Sequence, residues 1–285
     1  MKITKKSAVI VGLLGNILLF ISKLIIGFLT NSIAIISDAL NSLADIINSI
    51  VLFISVKVGS KSADKEHPFG HYRSEPIGGL IVAVLTVVLG FELVRIAIDR
   101  FINKVAPNFS TLMLLILLIT IAVKASMYFY TKAAWKKTQS IALFAFMVDH
   151  RNDIWIAFGA IIGFIGVNYN LAFLDPLVGI LIGLWIIKVG FGIGIDNIKF
   201  LMGEAPKKEL LEKIKNAASK VKGVKGIQQV KAHYVGTLVQ VALIITVDRN
   251  MSIYQAHALG TKVEKEVEKL EEIDKAFVHI NPTVK

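Results

Sequence analysis

The chain has 285 residues, 54% of them hydrophobic, and a mean hydropathy of +0.65, which indicates a membrane protein rather than a soluble domain. The formal net charge is +11, but the lysines and arginines flank apolar segments or lie in the C-terminal part without interleaved aromatic residues, so no nucleic acid partner is predicted. The absence of cysteine excludes disulfides, iron–sulfur clusters and thiolate metal sites, so any metal must be bound through nitrogen or oxygen.

Six segments have the length of a membrane-spanning helix, which needs about 20 mostly apolar residues. They are residues 8–29, 32–58, 77–98, 112–130, 141–167 and 171–195. The first is too long for a signal-peptide core, so we expect it to be retained. An even number of spans places both termini on one side of the bilayer. Lysines and arginines are concentrated before the first span and in the second and fourth connections, which predicts that this side is cytoplasmic.

A soluble domain is predicted after the "GEAP" segment at 203–206, where the pattern becomes too charged for a bilayer. A helical pattern from Lys208 to Val221 is followed by two strands, "GIQQVKAHYV" and "TLVQVALIITV". Ser252 with Gln255 forms a capping-box signature for an amphipathic helix that ends near Glu272, and "AFVHI" reads as a last strand. The predicted domains are therefore a transport domain at 1–205 and an α+β domain of order αββαβ at 206–285.

Two of the apolar segments contain acidic residues that a bilayer does not readily accept. In the second segment, Asp38, Asn41 and Asp45 share one helical face, and in the fifth, Asp149 and Asp153 are spaced i, i+4. An aspartate at mid-membrane costs about 2.5 to 3.5 kcal/mol even on lenient insertion scales, so these groups need a compensating partner. A divalent cation held between the two helices would supply it, and protons could replace the cation when it leaves.

The alternative interpretation is that these carboxylates form interhelical hydrogen bonds or pair with Lys23, Lys124 or Arg151. We favour the metal interpretation, because repeated acids on two helices exceed what packing requires. His150 lies next to Asp149, and neighbouring helical residues point about 100° apart. We therefore expect His150 and Arg151 to point away from the carboxylates and to support them rather than bind the ion.

The connection "ADKEHPFGHYRSE" between the second and third spans contains a second candidate cluster. Asp64, His67 and His71 offer one carboxylate and two imidazoles, with the histidines four residues apart. Such loop histidines are also commonly just solvated, so the spacing by itself leaves both interpretations open.

Taken together, these features resemble the cation diffusion facilitator family of divalent-metal transporters. The resemblance covers nearly the whole chain: six spans, polar pairs on the second and fifth helices, the "HPFGHYRSE" segment, "DPLVGILIG" at the start of the sixth helix, and the αββαβ domain. It implies a Y-shaped homodimer with a ferredoxin-like cytoplasmic domain. It also implies exchange of a divalent metal for protons by alternating access, with no enzymatic activity and no cofactor besides the transported ion.

The resemblance places the transport site at Asn41 and Asp45 with Asp149 and Asp153, and Asp38 is a candidate additional residue. Zinc-type members commonly have histidine where this chain has Asp149, whereas His150 is one position out of register. The implied site is all oxygen, like that of the family's manganese-type members, and hard oxygen ligands suit Mn²⁺ better than Zn²⁺.

The resemblance also implies two further sites and one ion pair. Asp64, His67 and His71 correspond to the family's loop metal site. The cytoplasmic site is reduced to His257 and His279, with His233 as a candidate substitute. Arg73 and Glu204 are candidates for an ion pair between the loop motif and the end of the sixth helix.

The sequence therefore predicts an integral protein of a prokaryotic inner membrane, a homodimer that exports Mn²⁺ in exchange for protons. The same transporter with Fe²⁺ or Zn²⁺ as its main substrate is the alternative within this class. A membrane-anchored, metal-responsive interaction protein is the alternative from another class. An intramembrane hydrolase is disfavoured because no nucleophile and base accompany the carboxylates.

Overall fold

A computed structural model describes residues 4–29, 33–103, 111–169, 171 and 173–283. The chain divides into two compact units, residues 1–198 and 199–285. The first contains long apolar helices and the second contains a small sheet with two shorter helices, so the change in composition after the sixth helix coincides with a change in architecture.

Six long helices make up the described part of the first unit. They are α1 (Lys5–Leu29), α2 (Ile33–Gly59), α3 (Ser74–Asn103), α4 (Thr111–Thr138), α5 (Ile141–Asn168) and α6 (Leu174–Leu201). Each predicted span has its helix, but five of the six extend beyond the apolar segment into polar residues. The sixth helix begins at Leu174 rather than Leu171, and the predicted start of the second, Ser32, lies outside the described residues.

Five segments of these helices are long and apolar enough to cross a membrane: 5–29, 41–59, 74–103, 111–138 and 176–201. The α5 helix, which carries Asp149, Arg151 and Asp153, is not among them in the described part of the chain. These three charged residues lie within five consecutive positions of the helix. The helical architecture is as predicted, while the crossing of all six helices stays a prediction.

The helices of the first unit pack through small and apolar residues. A buried cluster joins α1, α2, α3, α5 and α6 through Val9, Leu52, Val82, Phe146 and Ile193. Where α3 meets α6, a Cβ added to Gly90 would lie 3.1 Å from the carbonyl oxygen of Gly183, and one added to Gly183 would lie 3.0 Å from that of Gly90. The two backbones approach closely there because neither residue has a side chain.

The second unit has the predicted αββαβ order. Its elements are α7 (Lys208–Ser219), β1 (Gly226–Val235), β2 (Leu238–Val247), α8 (Ile253–Val267) and β3 (Ile273–Pro282). The sheet has the order β1-β2-β3, with β1 antiparallel and β3 parallel to β2. The central strand is the most buried, and Val241, Leu243 and Ile245 are at most 1% exposed. Its alternate residues form the core together with α7 and α8.

The start of α8 is the capping box that the sequence predicts. The Ser252 hydroxyl accepts from the Gln255 backbone N–H, and the Gln255 side chain accepts from the Ser252 N–H. The helix ends at Val267 rather than near Glu272, because a turn brings the Ile273 N–H to the Leu270 carbonyl and starts β3.

Candidate metal centre

The acids of the second and fifth apolar segments lie on α2 and α5, which pack against each other in the first unit. Asp149 is 4% exposed, and the side chains of Asp45 and Asp153 are 14% and 12% exposed. Asp149 and Asp153 lie one helical turn apart on α5, as their i, i+4 spacing predicts. Three carboxylates are thus largely buried inside the bundle. A buried carboxylate that is ionised requires a positive partner.

Lys124 on α4 supplies one such partner. Its ammonium Nζ lies 2.7 Å from Asp45 Oδ2 and 2.5 Å from Asp153 Oδ2, and its side chain is almost completely buried. The pairing with Lys124 that the sequence left as an alternative is therefore present in the structure. Since α2, α4 and α5 each contribute one of these charges, the three helices meet at this ion-pair cluster.

His150 lies closer to the carboxylates than the sequence analysis expects. One ring nitrogen of His150 and one carboxylate oxygen each of Asp149 and Asp153 all lie within 4.8 Å of one another. This proximity was not expected from the offset of about 100° between neighbouring residues, and whether His150 binds the ion or only supports the carboxylates stays a prediction. Residues three apart on a helix are within about 60° of each other, so His150 shares a side of α5 with Asp153. Its ring also packs against Phe146, with centroids 4.2 Å apart.

Arg151 and Lys23, the other two cations considered, lie differently. The guanidinium of Arg151 stacks on Trp185 of α6 at 4.9 Å from the ring centroid. Lys23 on α1 is 4% exposed, and its ammonium donates to the Ser42 hydroxyl at 3.2 Å. Lys124 thus forms ion pairs with two of the predicted ligands, Asp45 and Asp153.

Several buried polar atoms around this cluster have no hydrogen-bond partner among the residues that the structure describes. They include both ring nitrogens of His150, Oδ2 of Asp149 and both amide atoms of Asn152. Buried polar groups are normally satisfied, so these atoms are candidates to contact water or an ion. The chemistry of these donors, carboxylate, amide and imidazole, fits a divalent cation.

Asn41 lies one helical turn before Asp45 on α2, and its side chain is exposed. The side chain of Asp38 lies outside the described residues. Behind Asp45, the amide of Asn16 on α1 donates to the Asp45 carbonyl at 3.2 Å and to the Ser49 hydroxyl at 2.9 Å. These bonds hold α1 against the segment of α2 that presents Asp45.

The loop cluster comes together between α2 and α3. Asp64 Oδ1 lies 3.5 Å from His67 Nδ1, Asp64 Oδ2 lies 3.3 Å from His71 Nε2, and the two imidazole centroids are 4.3 Å apart. The turn needs Gly70, whose φ of +81° is unfavourable for other residues. The potential ligand atoms of all three side chains lie within 4.8 Å of one another, close enough to share one ion.

The backbone of this loop also fixes the charge of Asp64. The His67 N–H donates to Asp64 Oδ1 at 2.7 Å, and the Glu66 N–H donates to the same oxygen at 3.1 Å. The His67 backbone hydrogen bond is the main cause that lowers the pKa of Asp64, with help from the two nearby imidazoles. Asp64 is therefore held as a carboxylate, the form that binds a metal.

The histidines of the second unit are not gathered in the same way. His233 lies on β1, His257 is exposed on α8, and His279 is exposed on β3. Within the described chain, the groups of three or more residues able to share an ion do not include them. On the strands that carry His279 and His233, the side chain of Asn281 donates to Gln228 Oε1 at 2.8 Å.

The predicted ion pair joins residues of different units. Arg73 lies in the first unit and Glu204 in the second, and their pairing stays a prediction.

Sequence reasoning missed a buried network at the start of α3. Glu75 is 4% exposed, and its Oε1 lies 2.5 Å from Lys5 Nζ of α1. Its Oε2 accepts from the Ser140 hydroxyl at the start of α5, also at 2.5 Å. The signal was available in "HYRSEP", where the acidic residue Glu75 stands at the start of the apolar segment.

Comparisons with known proteins cover both units. The model of the cation efflux transmembrane domain matches residues 9–202, and that of the cation efflux protein cytoplasmic domain matches residues 206–283. An uncharacterized transporter of Methanocaldococcus jannaschii is 34% identical over 95% of this chain and 96% of its own length. The manganese efflux system proteins MneS and MneP of Bacillus subtilis are 28% and 26% identical, over 97% and 99% of this chain and 95% and 97% of their own lengths.

Proposed function

The chain belongs to the cation efflux family of divalent-metal transporters, and from this premise we propose that it exports Mn²⁺ in exchange for protons. The family consists of transporters rather than enzymes, and the metal ion is their substrate, not a resident cofactor. The observation that carries the proposal is the buried cluster of Asp45, Asp149 and Asp153, with unsatisfied polar atoms around it. We assign the transport ligands to these three residues and Asn41, with Asp38 as a candidate addition.

The preference for Mn²⁺ follows from the oxygen donors. Mn²⁺ prefers carboxylate and amide oxygens as ligands, whereas Zn²⁺ prefers imidazole or thiolate. The names of MneS and MneP, two relatives similar over nearly their whole length, are consistent with this assignment. When the ion leaves, the same carboxylates can accept protons, which would couple export to the proton gradient.

Zn²⁺ or Fe²⁺ is a second candidate because of the position of His150. Its ring nitrogen is within 4.8 Å of ligand atoms of Asp149 and Asp153 and has no partner in the described part of the chain. An imidazole that joined the ligand set would raise the affinity for these softer ions. Replacing His150 with Gln should then lower Zn²⁺ transport and leave Mn²⁺ transport intact, while Asp149→His should favour Zn²⁺.

The rest of the predicted organisation is proposed on the same basis. The match to the cytoplasmic domain model supports a domain at 206–285 on the cytoplasmic side, a transport domain at 1–205 and both termini in the cytoplasm. We infer a homodimer of six-span subunits in a prokaryotic inner membrane, with ferredoxin-like cytoplasmic domains. Asp64, His67 and His71 would form the loop metal site, and Arg73 with Glu204 an ion pair. Any cytoplasmic site built from His233, His257 and His279 would be weak.

Transport by the purified protein in liposomes tests the proposal. With an imposed pH gradient, Mn²⁺ should move through the wild type and fail to move through Asp45→Ala. Asp99→Ala is the matched control, because Asp99 is an exposed acid on α3 that bonds to Asn103. If Mn²⁺ does not move, or moves equally well in Asp45→Ala, the assignment is wrong. Metal-dependent association without any flux would instead favour the interaction-protein alternative.

A further inference from the structure

Lys124 is a buried cation placed directly on two of the proposed cargo ligands. Its side chain is 2% exposed, and Nζ donates to Asp45 Oδ2 at 2.7 Å while lying 2.5 Å from Asp153 Oδ2. Burying an ammonium without its hydration costs several kcal/mol unless the charge is paired. The two carboxylates and Lys124 therefore stabilise one another.

The ammonium and a cargo ion would compete for the same oxygens. Divalent metals bind carboxylate oxygens at about 2.0 to 2.6 Å. An ion bridging Asp45 Oδ2 and Asp153 Oδ2 would thus overlap the position of Nζ, which already lies 2.7 and 2.5 Å from them. Two positive charges cannot share that position, so binding of the ion requires Nζ to move.

We propose, on the basis of the function proposed above, that Lys124 is a built-in competitor cation that the cargo must displace from Asp45 and Asp153. Lysine suits this role, because its ammonium is a point charge on a flexible four-carbon stem and can withdraw without movement of the helix axis. Asp149 and His150 lie beside Asp153 on α5 and would receive the incoming ion while the ammonium leaves. The exchange of one cation for another keeps the buried carboxylates compensated throughout.

This competition has a defined effect on affinity. When the binding-competent arrangement is one of two populations, the observed dissociation constant is the intrinsic one divided by the competent fraction. Lys124 therefore weakens metal binding and raises the cargo concentration at which export begins, and it helps expel the ion by returning to the carboxylates. A lysine that merely held the helices together would change stability and leave the observed dissociation constant of the ion unchanged.

The test compares Lys124→Gln, Lys124→Met and Lys124→Arg with Lys132→Gln. Lys132 is the matched control, because it lies on α4 and contacts the Tyr128 hydroxyl at 3.3 Å rather than the carboxylates. Binding of Mn²⁺, Zn²⁺ and Cd²⁺ to the full-length protein in detergent is measured by calorimetry, and the signal of the carboxylate site is the part abolished by Asp153→Asn. KM and kcat for Mn²⁺ are measured in liposomes.

We expect Lys124→Gln and Lys124→Met to bind Mn²⁺ at least tenfold more tightly, with lower KM and lower kcat, because release is slowed. Lys124→Arg should bind several-fold more weakly than the wild type, since a guanidinium grips two carboxylates more firmly. Because the affinity should change in the opposite direction in Lys124→Arg, the test stays decisive even if Lys124→Gln and Lys124→Met do not fold. Lys132→Gln should match the wild type.

Equal or weaker binding in Lys124→Gln, or unchanged binding in Lys124→Arg, would overturn the competitor role while leaving the transport site in place. If no divalent ion binds at the carboxylates in the wild type or in any Lys124 variant, both the transport site and the competitor role are wrong. Binding that becomes measurable after Lys124 is neutralised supports the competitor role.

Discussion

The buried ion pair of Glu75 offers a sharp test of what holds the helices together at the start of α3. Glu75 contacts Lys5 of α1 and Ser140 of α5, and its side chain is 6% exposed, whereas that of Lys5 is 26% exposed. Removing one partner of a buried pair costs about 3 to 5 kcal/mol, because the other charge is left uncompensated. Water can reach Lys5 in part, so for Glu75→Gln we expect the lower end, about 3 kcal/mol.

Two further variants separate the ion pair from the hydrogen bond. Ser140→Ala removes one hydrogen bond to a charged group and should cost about 1.5 to 3 kcal/mol. Glu75→Ala removes both interactions and should cost the most of the three. Glu212→Gln is the control, because Glu212 forms an exposed i, i+3 pair with Lys215 that should contribute at most about 0.5 kcal/mol.

The free energy of unfolding can be measured by titrating SDS into mixed micelles and following tryptophan fluorescence. Trp135 reports on this end of the bundle, since it packs against Phe144 at 5.5 Å. The reasoning fails if Glu75→Gln is as stable as Glu212→Gln, or if Ser140→Ala costs more than Glu75→Ala.

Two predictions concern the second unit and can be checked by hydrogen exchange of the intact protein. Ser252→Ala removes the cap of α8 and should destabilise that helix by about 1 kcal/mol, with faster exchange at the Gln255 amide, whereas Ser252→Asp should stay close to the wild type. Burial opposes ionisation of Glu268, but the Lys275 ammonium and the Ala276 N–H outweigh it, and the pKa of Glu268 is lowered overall. A lowered carboxyl pKa stabilises the fold above the unfolded pKa and loses its effect as the pH falls through the folded one. Glu268→Gln should therefore speed exchange at Ala276 at pH 7, and this difference should shrink below about pH 4; a difference that grows in acid would contradict the sign.

Much of the architecture follows from local patterns. The helices of the first unit lie where about 20 apolar residues require helical hydrogen bonding, and the αββαβ order follows from alternating hydrophobicity and the capping box. The helix ends were less predictable, because α3 and α4 continue beyond the apolar segments into polar residues. Hydropathy indicates which residues can contact lipid, not the residue at which the helix ends.

The candidate site was predictable in composition and only partly in arrangement. The i, i+4 spacing of Asp149 and Asp153 places them on one face, and the loop spacing brings His67 and His71 beside Asp64, since both depend on neighbours in sequence. The proximity of His150 to both carboxylates was not predicted, because it depends on the relation of His150 to Asp153 as well as to Asp149.

The sequence by itself determined the class of protein, the helices and strands, and the residue types available to bind a cation, because these depend on composition and on contacts within a few residues. Only the tertiary structure decided which charges meet. Lys124 is 79 residues from Asp45 and 29 from Asp153, and Glu75 is 70 residues from Lys5. Such pairs depend on how the helices pack against one another, and no periodicity along the chain predicts which buried lysine a carboxylate will contact. The consequence is physical: the site proposed for a divalent ion already contains a cation of the chain's own.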